Sequence, residues 1–410
     1  MSRKKKILVV VGAGASIDFG MPSVTEINKL FIKWAKDEFP LASNQDDNLY
    51  SFFEREIERY KRDHLAGHLR TCTNFEEVLY NMYLMPAFYP NGVFTSSIGA
   101  FLGVRKLPDI RYLGWHRTTD SHVLGRLAEY LIESLLKEFR KRCQEVDKNK
   151  TAQWNDFLTK LDEDFELAIV SLNYDNLVYQ ALSSLNTGFD PVAKLFKPEM
   201  IWQRKSWRCL LHLHGSVHFD FWEGLRWIDD LAKTYNPDLG EARGRSSINT
   251  KEGAVFPSSE IVAGYGKLSR LSSQPFRTYY AELDRLVHEC EGVLFLGYGF
   301  ADNHLDQAFS NFRNDPRRPV VVIDKANGDT MTIRSSYDVS PTAKSAVRLF
   351  CKDPLSMKWL DNDFSERVER LNEIDEFESS NDPNIPLSIW YGGMQKACCN
   401  YEKIKHILTS

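Results

Sequence analysis

The chain has 410 residues, 43% hydrophobic and 26% charged, enough for one large core with insertions or for two smaller ones. A formal net charge of −4 gives no global basic field, so composition does not point to nucleic acid, and a local run such as Phe139-Arg140-Lys141-Arg142-Cys143 reads as a solvated helix face. No stretch approaches the roughly 18 consecutive apolar residues of a membrane span. The start, Arg3-Lys4-Lys5-Lys6, runs into a segment too short and β-branched for a signal peptide, so a cytoplasmic protein is expected.

Cys72, Cys143, Cys209, Cys290, Cys351, Cys398 and Cys399 form no C-x-x-C pair, and several sit in apolar, strand-like surroundings. Reduced, mostly buried thiols are expected, and no structural zinc.

In chain order, "KILVVVG" (6–12) is the first of six short, continuously apolar runs. It leads into Gly12-Ala13-Gly14-Ala15-Ser16, whose glycines permit a tight turn. A helix starting near Ser16 would offer free N–H groups to a phosphate. The dinucleotide fingerprint is incomplete, with Ile17 where a third glycine might stand. Residues 45–150 follow as a helical insert, in which Asn74 and Glu77 have capping-box spacing ahead of "VLYNMYLM".

The other runs are "ELAIVSL" (166–172), "RCLLHLH" (208–214), "GVLFLGYG" (292–299), "PVVVID" (319–324) and "AVRLFC" (346–351). Continuous rather than alternating apolar residues mark strands covered on both faces, and helical patterns such as "ADNHLDQAFSNFRN" between them fit crossovers. The expectation is an α/β fold with a Rossmann-like six-stranded parallel sheet, its core made of residues 1–44 and 151–356. Residues 217–275, rich in Gly, Ser and Asn, read as a loop-dominated excursion from that core, and 357–410 as a C-terminal helical and aromatic extension.

Ligands of open parallel sheets bind at the carboxyl ends of the strands. Five such ends here carry small or polar loops: Gly12–Ser16, Asn173-Tyr174-Asp175-Asn176, His214-Gly215-Ser216, Gly297-Tyr298-Gly299, and Asp324. Asp324 closes the strand 27 residues after Gly297, near where an acid bonds a ribose 2′-hydroxyl, a choice that selects NAD over its 2′-phosphorylated form. An amide and an imidazole beside a nucleotide suit attack on a glycosidic carbon. Asn173 can hold ribose hydroxyls and water, Asp175 can anchor the carboxamide or the loop, and His214 can take a proton. A metal site from His212, His214 and His218 would lack a carboxylate or cysteine at a recognised ligand spacing.

Taken together, GAGAS, "SLNYDN", "LHLHGS", "FLGYGFADNHLDQAF" and "VVVID" resemble the sirtuin-like NAD-consuming domain of prokaryotic anti-phage proteins. The resemblance makes Asn173 and His214 the catalytic pair, Asp175 their acidic neighbour, and Gly12, Ala13, Gly14, Ala15 and Ser16 the pyrophosphate loop. Gly297, Tyr298, Gly299 and Asp324 complete the expected nucleotide contacts. The four-cysteine zinc module of the deacetylases is missing. Ser23-Val24-Thr25 also stands after Gly20-Met21-Pro22, where deacetylases show Asp-Phe-Arg.

The implied activity is therefore hydrolysis of NAD+ to nicotinamide and ADP-ribose, which depletes NAD during infection, with NAD+ as substrate and no further cofactor required. The implied assembly is a homo-oligomer joined to a HerA-type hexameric ATPase, through which nucleic acid would be reached. Two alternatives stay open at this point: a metal-dependent nuclease, and a non-catalytic NAD or ADP-ribose-binding scaffold that regulates an ATPase.

Overall fold

The computed structural model describes residues 3–67, 73–85, 107–221, 233–235, 239, 246–249, 255–258, 273–310, 312, 318–326, 340–350, 370–380 and 387–410. The chain divides into two compact units. One holds Met1–Met21, Arg142–Ser216 and Pro275–Ser410, and the other Pro22–Lys141 and Val217–Gln274.

The first unit is built on a seven-stranded sheet. Its strands are β1 (Lys6–Val11), β2 (Glu166–Ser171), β3 (Cys209–His212), β4 (Gly292–Leu296), β5 (Val320–Ile323), β6 (Glu378–Ser379) and β7 (Leu387–Trp390). The order is β6-β7-β5-β4-β1-β2-β3. All pairings are parallel except that of the short edge strand β6 with β7. From β1 the chain builds outward through β2 to β3, then crosses to the far side of β1 to add β4, β5 and β7, so the direction of winding reverses between β1 and β4. Ile7 to Val11 are buried throughout, as a central strand covered on both faces requires.

The helices used below are α1 (Ala13–Ile17), α2 (Lys148–Asp164), α3 (Leu177–Ala181), α4 (Phe276–Glu289), α5 (Asn303–Ala308), α6 (Pro341–Phe350), α7 (Met394–Cys399) and α8 (Tyr401–Thr409). In α2, Asp147 caps the first turn by accepting from Asn149 N–H, and Thr151, Trp154, Phe157, Leu158 and Leu161 form the buried stripe.

Two expectations are corrected here. Residues 346–350, expected as the sixth strand 346–351, lie in α6 (Cys351 is outside the described residues). Its buried residues Ala343, Ala346, Val347 and Phe350 recur at helical spacing, and Ser340 Oγ accepts from Ala343 N–H at the first turn. The six-residue window hid a period that the ten-residue window shows. The sheet's remaining strands come instead from the tail, where Leu387–Trp390 is fully buried and pairs with β5. The tail expected as an extension thus supplies sheet to the first unit.

The second unit contains the helices Val24–Glu38, Leu49–His64 and Phe75–Leu84, most of Ser121–Glu145, and three two-stranded ribbons. Ser23, Asn48 and Asn74 cap the first three helices through their side chains. At the expected capping box, Asn74 Oδ1 accepts from Glu77 N–H at 3.0 Å. Glu77 forms a buried ion pair with Lys61 at 2.5 Å. Phe31 meets Tyr50 and Phe75 edge-on, at ring separations of 5.6 and 5.4 Å. The excursion expected over 217–275 lies mostly outside the described residues. By contacts it groups with 22–141, not with the sheet.

Among the described residues, no helix is long and apolar enough to cross a membrane.

Candidate functional site

Strand register sets the level of the site. Val11 pairs with both Leu296 and Ser171, and Ser171 pairs with His212, so β1 to β4 end side by side. Asn173 and His214 each stand two residues beyond that common edge. The loop 297–302 follows β4 on the same edge, and Asp324 follows β5, which pairs with β4.

Between β1 and β4 the two glycine turns are locked together. Gly12 N–H donates to Leu296 O and Gly14 N–H to Gly297 O, both at 2.9 Å, while Ala15 N–H donates to Gly12 O at 3.0 Å. A Cβ on Gly12 would lie 2.7 Å from Gly297 O, and one on Gly14 2.9 Å from the same oxygen. Gly297 has φ +58°, and its Cβ would lie 2.0 Å from Ala15 N. Glycine is needed at these positions because two loops touch. Gly299 meets nothing within 4 Å and has no such steric reason.

This differs from the expected phosphate turn in two ways. The helix begins at Ala13, not near Ser16, and runs for only five residues. Three loop amides, those of Gly12, Gly14 and Ala15, are spent on protein carbonyls.

Asn173 is buried and held on three sides. Its N–H donates to Ser171 Oγ at 3.2 Å, and its Nδ2 donates to Gly12 O and to Ser16 Oγ, both at 2.9 Å. A carbonyl oxygen only accepts, so the contact with Gly12 fixes which end of the amide is nitrogen. Both amide hydrogens are used, which leaves Oδ1 as the atom to meet a ligand.

Asp175 is buried beside it. Its Oδ1 accepts from Leu177 N–H at 3.0 Å and so starts α3, while its buried Oδ2 has no partner in hydrogen-bonding geometry. Burial pushes this carboxyl above the usual range, and the Ser16 hydroxyl, the Leu177 N–H and the Asn173 amide pull the other way.

His214 belongs to a different kind of cluster. Its Nε2 lies 2.8 Å from Asp302 Oδ2, with both side chains buried. The other oxygen of Asp302 caps α5, accepting from His304 N–H at 3.0 Å and Leu305 N–H at 3.2 Å. Asp302 N–H donates to Tyr298 Oη at 3.2 Å, and that hydroxyl donates to Asp306 Oδ1 at 2.7 Å. Burial, with the nearby Asp302 charge adding to it, pushes the Asp306 carboxyl up to about 6, against the Tyr298 hydrogen bond.

Asp324 stands apart from these groups in its bonding. Its N–H donates to Trp390 O, its carbonyl accepts from Gly393 N–H, and its Oδ2 accepts from Ser340 Oγ at 3.5 Å. Burial raises its carboxyl, partly offset by the Lys325 N–H and the Thr342 and Ser340 hydroxyls. A ribose contact here would share the carboxylate with the first turn of α6.

The structure thus joins Gly12, Gly14, Ser16, Asn173 and Gly297 in one hydrogen-bonded knot, with Ala13 and Ala15 in the same turn. His214 and Tyr298 meet through a residue the sequence reading passed over, Asp302. A signal for it existed, because an Asp ahead of "NHLDQAF" is a helix-cap residue. Its pairing with a histidine 88 positions away had none.

Among the described residues, no group of three or more His, Cys, Asp or Glu could hold a metal ion. β3 ends at His212, so His212 and His214 do not share a strand face.

Residues 167–341 match the model of the SIR2-like domain. The match takes in Asn173, Asp175, His214, Gly297, Tyr298, Asp302 and Asp324 and leaves out the Gly12–Ser16 turn, which Asn173 ties to the domain. No curated protein matches the chain. Solved structures similar to it include a Sir2 homologue–NAD complex, at 11% identity and TM-score 0.37 over 98% of this chain and 90% of that one. Another is a Sir2 homologue mutant with 2′-O-acetyl ADP-ribose, at 10% identity and TM-score 0.34 over 85% and 91%.

Proposed function

We propose that the site cleaves the bond between nicotinamide and ribose in NAD+, giving nicotinamide and ADP-ribose. The observation that carries this reading is the set of groups at one sheet edge: an amide fixed so that its Oδ1 meets the ligand, level with a buried histidine–carboxylate pair. Asn173 Oδ1 accepts from a ribose hydroxyl or from the attacking water. The carboxamide of nicotinamide supplies a donor suited to the Asp175 carboxylate, which lies in the same loop as Asn173.

The nicotinamide leaving group is cationic and departs with the C1′–N electron pair as a neutral molecule, so it needs little acid help. The enzyme's work is to orient the ribose, place the water and accept its proton on His214. NAD+ is the substrate, and no other cofactor takes part in the reaction as written. The turn of residues 12–16 lies beside the pyrophosphate, with Gly297, Tyr298 and Gly299 across from it and Asp324 toward the far ribose.

The resemblance to anti-phage sirtuin-like domains extends the proposal to the cell. There the chain works as a homo-oligomer, paired with a HerA-type hexameric ATPase, and depletes NAD when phage infects.

The test is direct. The full chain, alone and with such a partner, is incubated with NAD+, and nicotinamide and ADP-ribose are measured. Release that is lost in Asn173→Ala is expected. NAD+ bound tightly but left intact would select the scaffold reading, and metal-dependent DNA cleavage that survives Asn173→Ala and His214→Ala would select the nuclease.

A further inference from the structure

We propose that Asp302 is the positioning residue for His214 and decides which imidazole nitrogen does the chemistry. This rests on His214 being the proton acceptor in NAD+ cleavage.

A carboxylate only accepts, so the contact of Asp302 Oδ2 with His214 Nε2 at 2.8 Å places a proton on Nε2. In the neutral ring the lone pair then lies on Nδ1, and Nδ1 is the base. Both side chains are almost fully buried, at 8% and 7% exposure, so the contact is poorly screened. The carboxylate is itself fixed: Oδ1 is bound to the amides of His304 and Leu305, and its backbone N–H donates to Tyr298 Oη. The histidine follows β3 and its orienter follows β4, so two loops of the sheet edge are joined through one hydrogen bond.

The step balances. As the C1′–N bond breaks, its electron pair leaves with nicotinamide. Water oxygen bonds to C1′, and its proton passes to Nδ1. The resulting imidazolium sits against the Asp302 charge and later gives the proton to solvent. Other ionisable groups around the pair are Asp306, bonded to Tyr298, and Tyr280, whose hydroxyl burial makes less acidic, with the Asp302 charge adding to it.

The decisive variant is Asp302→Asn in the full chain, because asparagine caps a helix about as well as aspartate and has nearly the same shape. Its amide does not hold the same tautomer against a buried charge. With NAD+, kcat is expected to fall about 10²- to 10⁴-fold with KM changed less than about threefold. The His214 ring, followed by NMR in histidine-labelled protein and assigned by its loss in His214→Gln, is expected to titrate at a pH lower by about one unit or more.

A merely structural Asp302 would give a parent-like kcat and an unmoved His214 titration in Asp302→Asn. Either result overturns the proposal. If the parent releases no nicotinamide under any condition, the NAD+ reading fails, and the titration alone then decides the pairing. A shift on Asp302→Asn upholds it, and no shift overturns it.

Discussion

Asn173 and His214 stand at matching places, two residues past neighbouring paired strands, yet the protein holds them by different means. Asn173 is fixed by neutral groups that accept from it: the Gly12 carbonyl and the hydroxyl oxygens of Ser16 and Ser171. His214 is fixed by a carboxylate, and behind that carboxylate lie a phenol and a second acid, Asp306, whose carboxyl burial pushes up to about 6. The first arrangement keeps its geometry at any moderate pH. The second can change charge as protons come and go. The contrast matches a division of labour in which one strand end places the ribose and water while the next moves a proton.

The largest effect should come from breaking the neutral half. In Asn173→Asp an oxygen replaces Nδ2 against Gly12 O, so a carboxylate faces a carbonyl and loses its two donated bonds. NAD+ cleavage should fall at least about 10³-fold, with a stability loss of about 2–3 kcal/mol in urea melts. Asn173→Ala, which removes the repulsion as well as the amide, should fold better than Asn173→Asp and cleave as poorly. Equal stability of the two would mean that the contact with Gly12 is not the restraint described.

Next comes the lock between the glycine turns. Gly297→Ala must adopt φ +58° and also displace Ala15. The two costs together should reach about 2–5 kcal/mol. Gly299→Ala, with nothing near its Cβ, should cost less than about 1 kcal/mol. If the two substitutions destabilise alike, the turns are not locked.

These contrasts also separate what the sequence made legible from what it did not. β1, β2, β4 and β5 were readable because continuous β-branched runs have few other uses, and the loops at their ends were readable because a parallel sheet collects them on one edge. The run 346–351 misled because six apolar residues fit either period, and only Ala343, three positions earlier, reveals the helix. β7 was hidden because Leu387–Trp390 is brief and sits in an aromatic tail beyond a polar stretch. The pairing of Asp302 with His214 depends on the lateral order of β3 and β4 loops, which no local pattern carries. The glycines of the first turn were noticed for a phosphate, whereas the contacts that require them are with Gly297 and Tyr298.

A smaller effect tests the ionisable half. The Asp306 carboxyl is pushed up to about 6 by burial, so the folded state prefers it protonated. Its contribution to stability is present in full below its unfolded value near 4 and is lost as pH rises through about 6. Asp306→Asn cannot ionise. Its stability relative to the parent should therefore rise across pH 4 to 6 by about 1 kcal/mol, once partial exposure is allowed for, and stay level above 7. Denaturant melts at five or six pH values would show this, and a difference independent of pH would remove Asp306 from the ionisable cluster.

The smallest effect returns to the neutral half. Ser16→Ala deletes one of the two acceptors that hold the Asn173 amide and leaves the other, Gly12 O, in place. One amide hydrogen is then freed in a buried setting, which should cost about 1 kcal/mol of stability and lower NAD+ cleavage about tenfold as Asn173 gains freedom to rotate. Asn173 and its two acceptors are uncharged, so if Ser16 acts mainly by holding Asn173 the ratio of variant to parent kcat should be constant from pH 5 to 8. A ratio that changed with pH would mean that Ser16 acts mainly on Asp175, whose carboxyl is raised by burial and lowered by this same hydroxyl. The line between a neutral and an ionisable half would then run through the Asn173 loop rather than between β2 and β3.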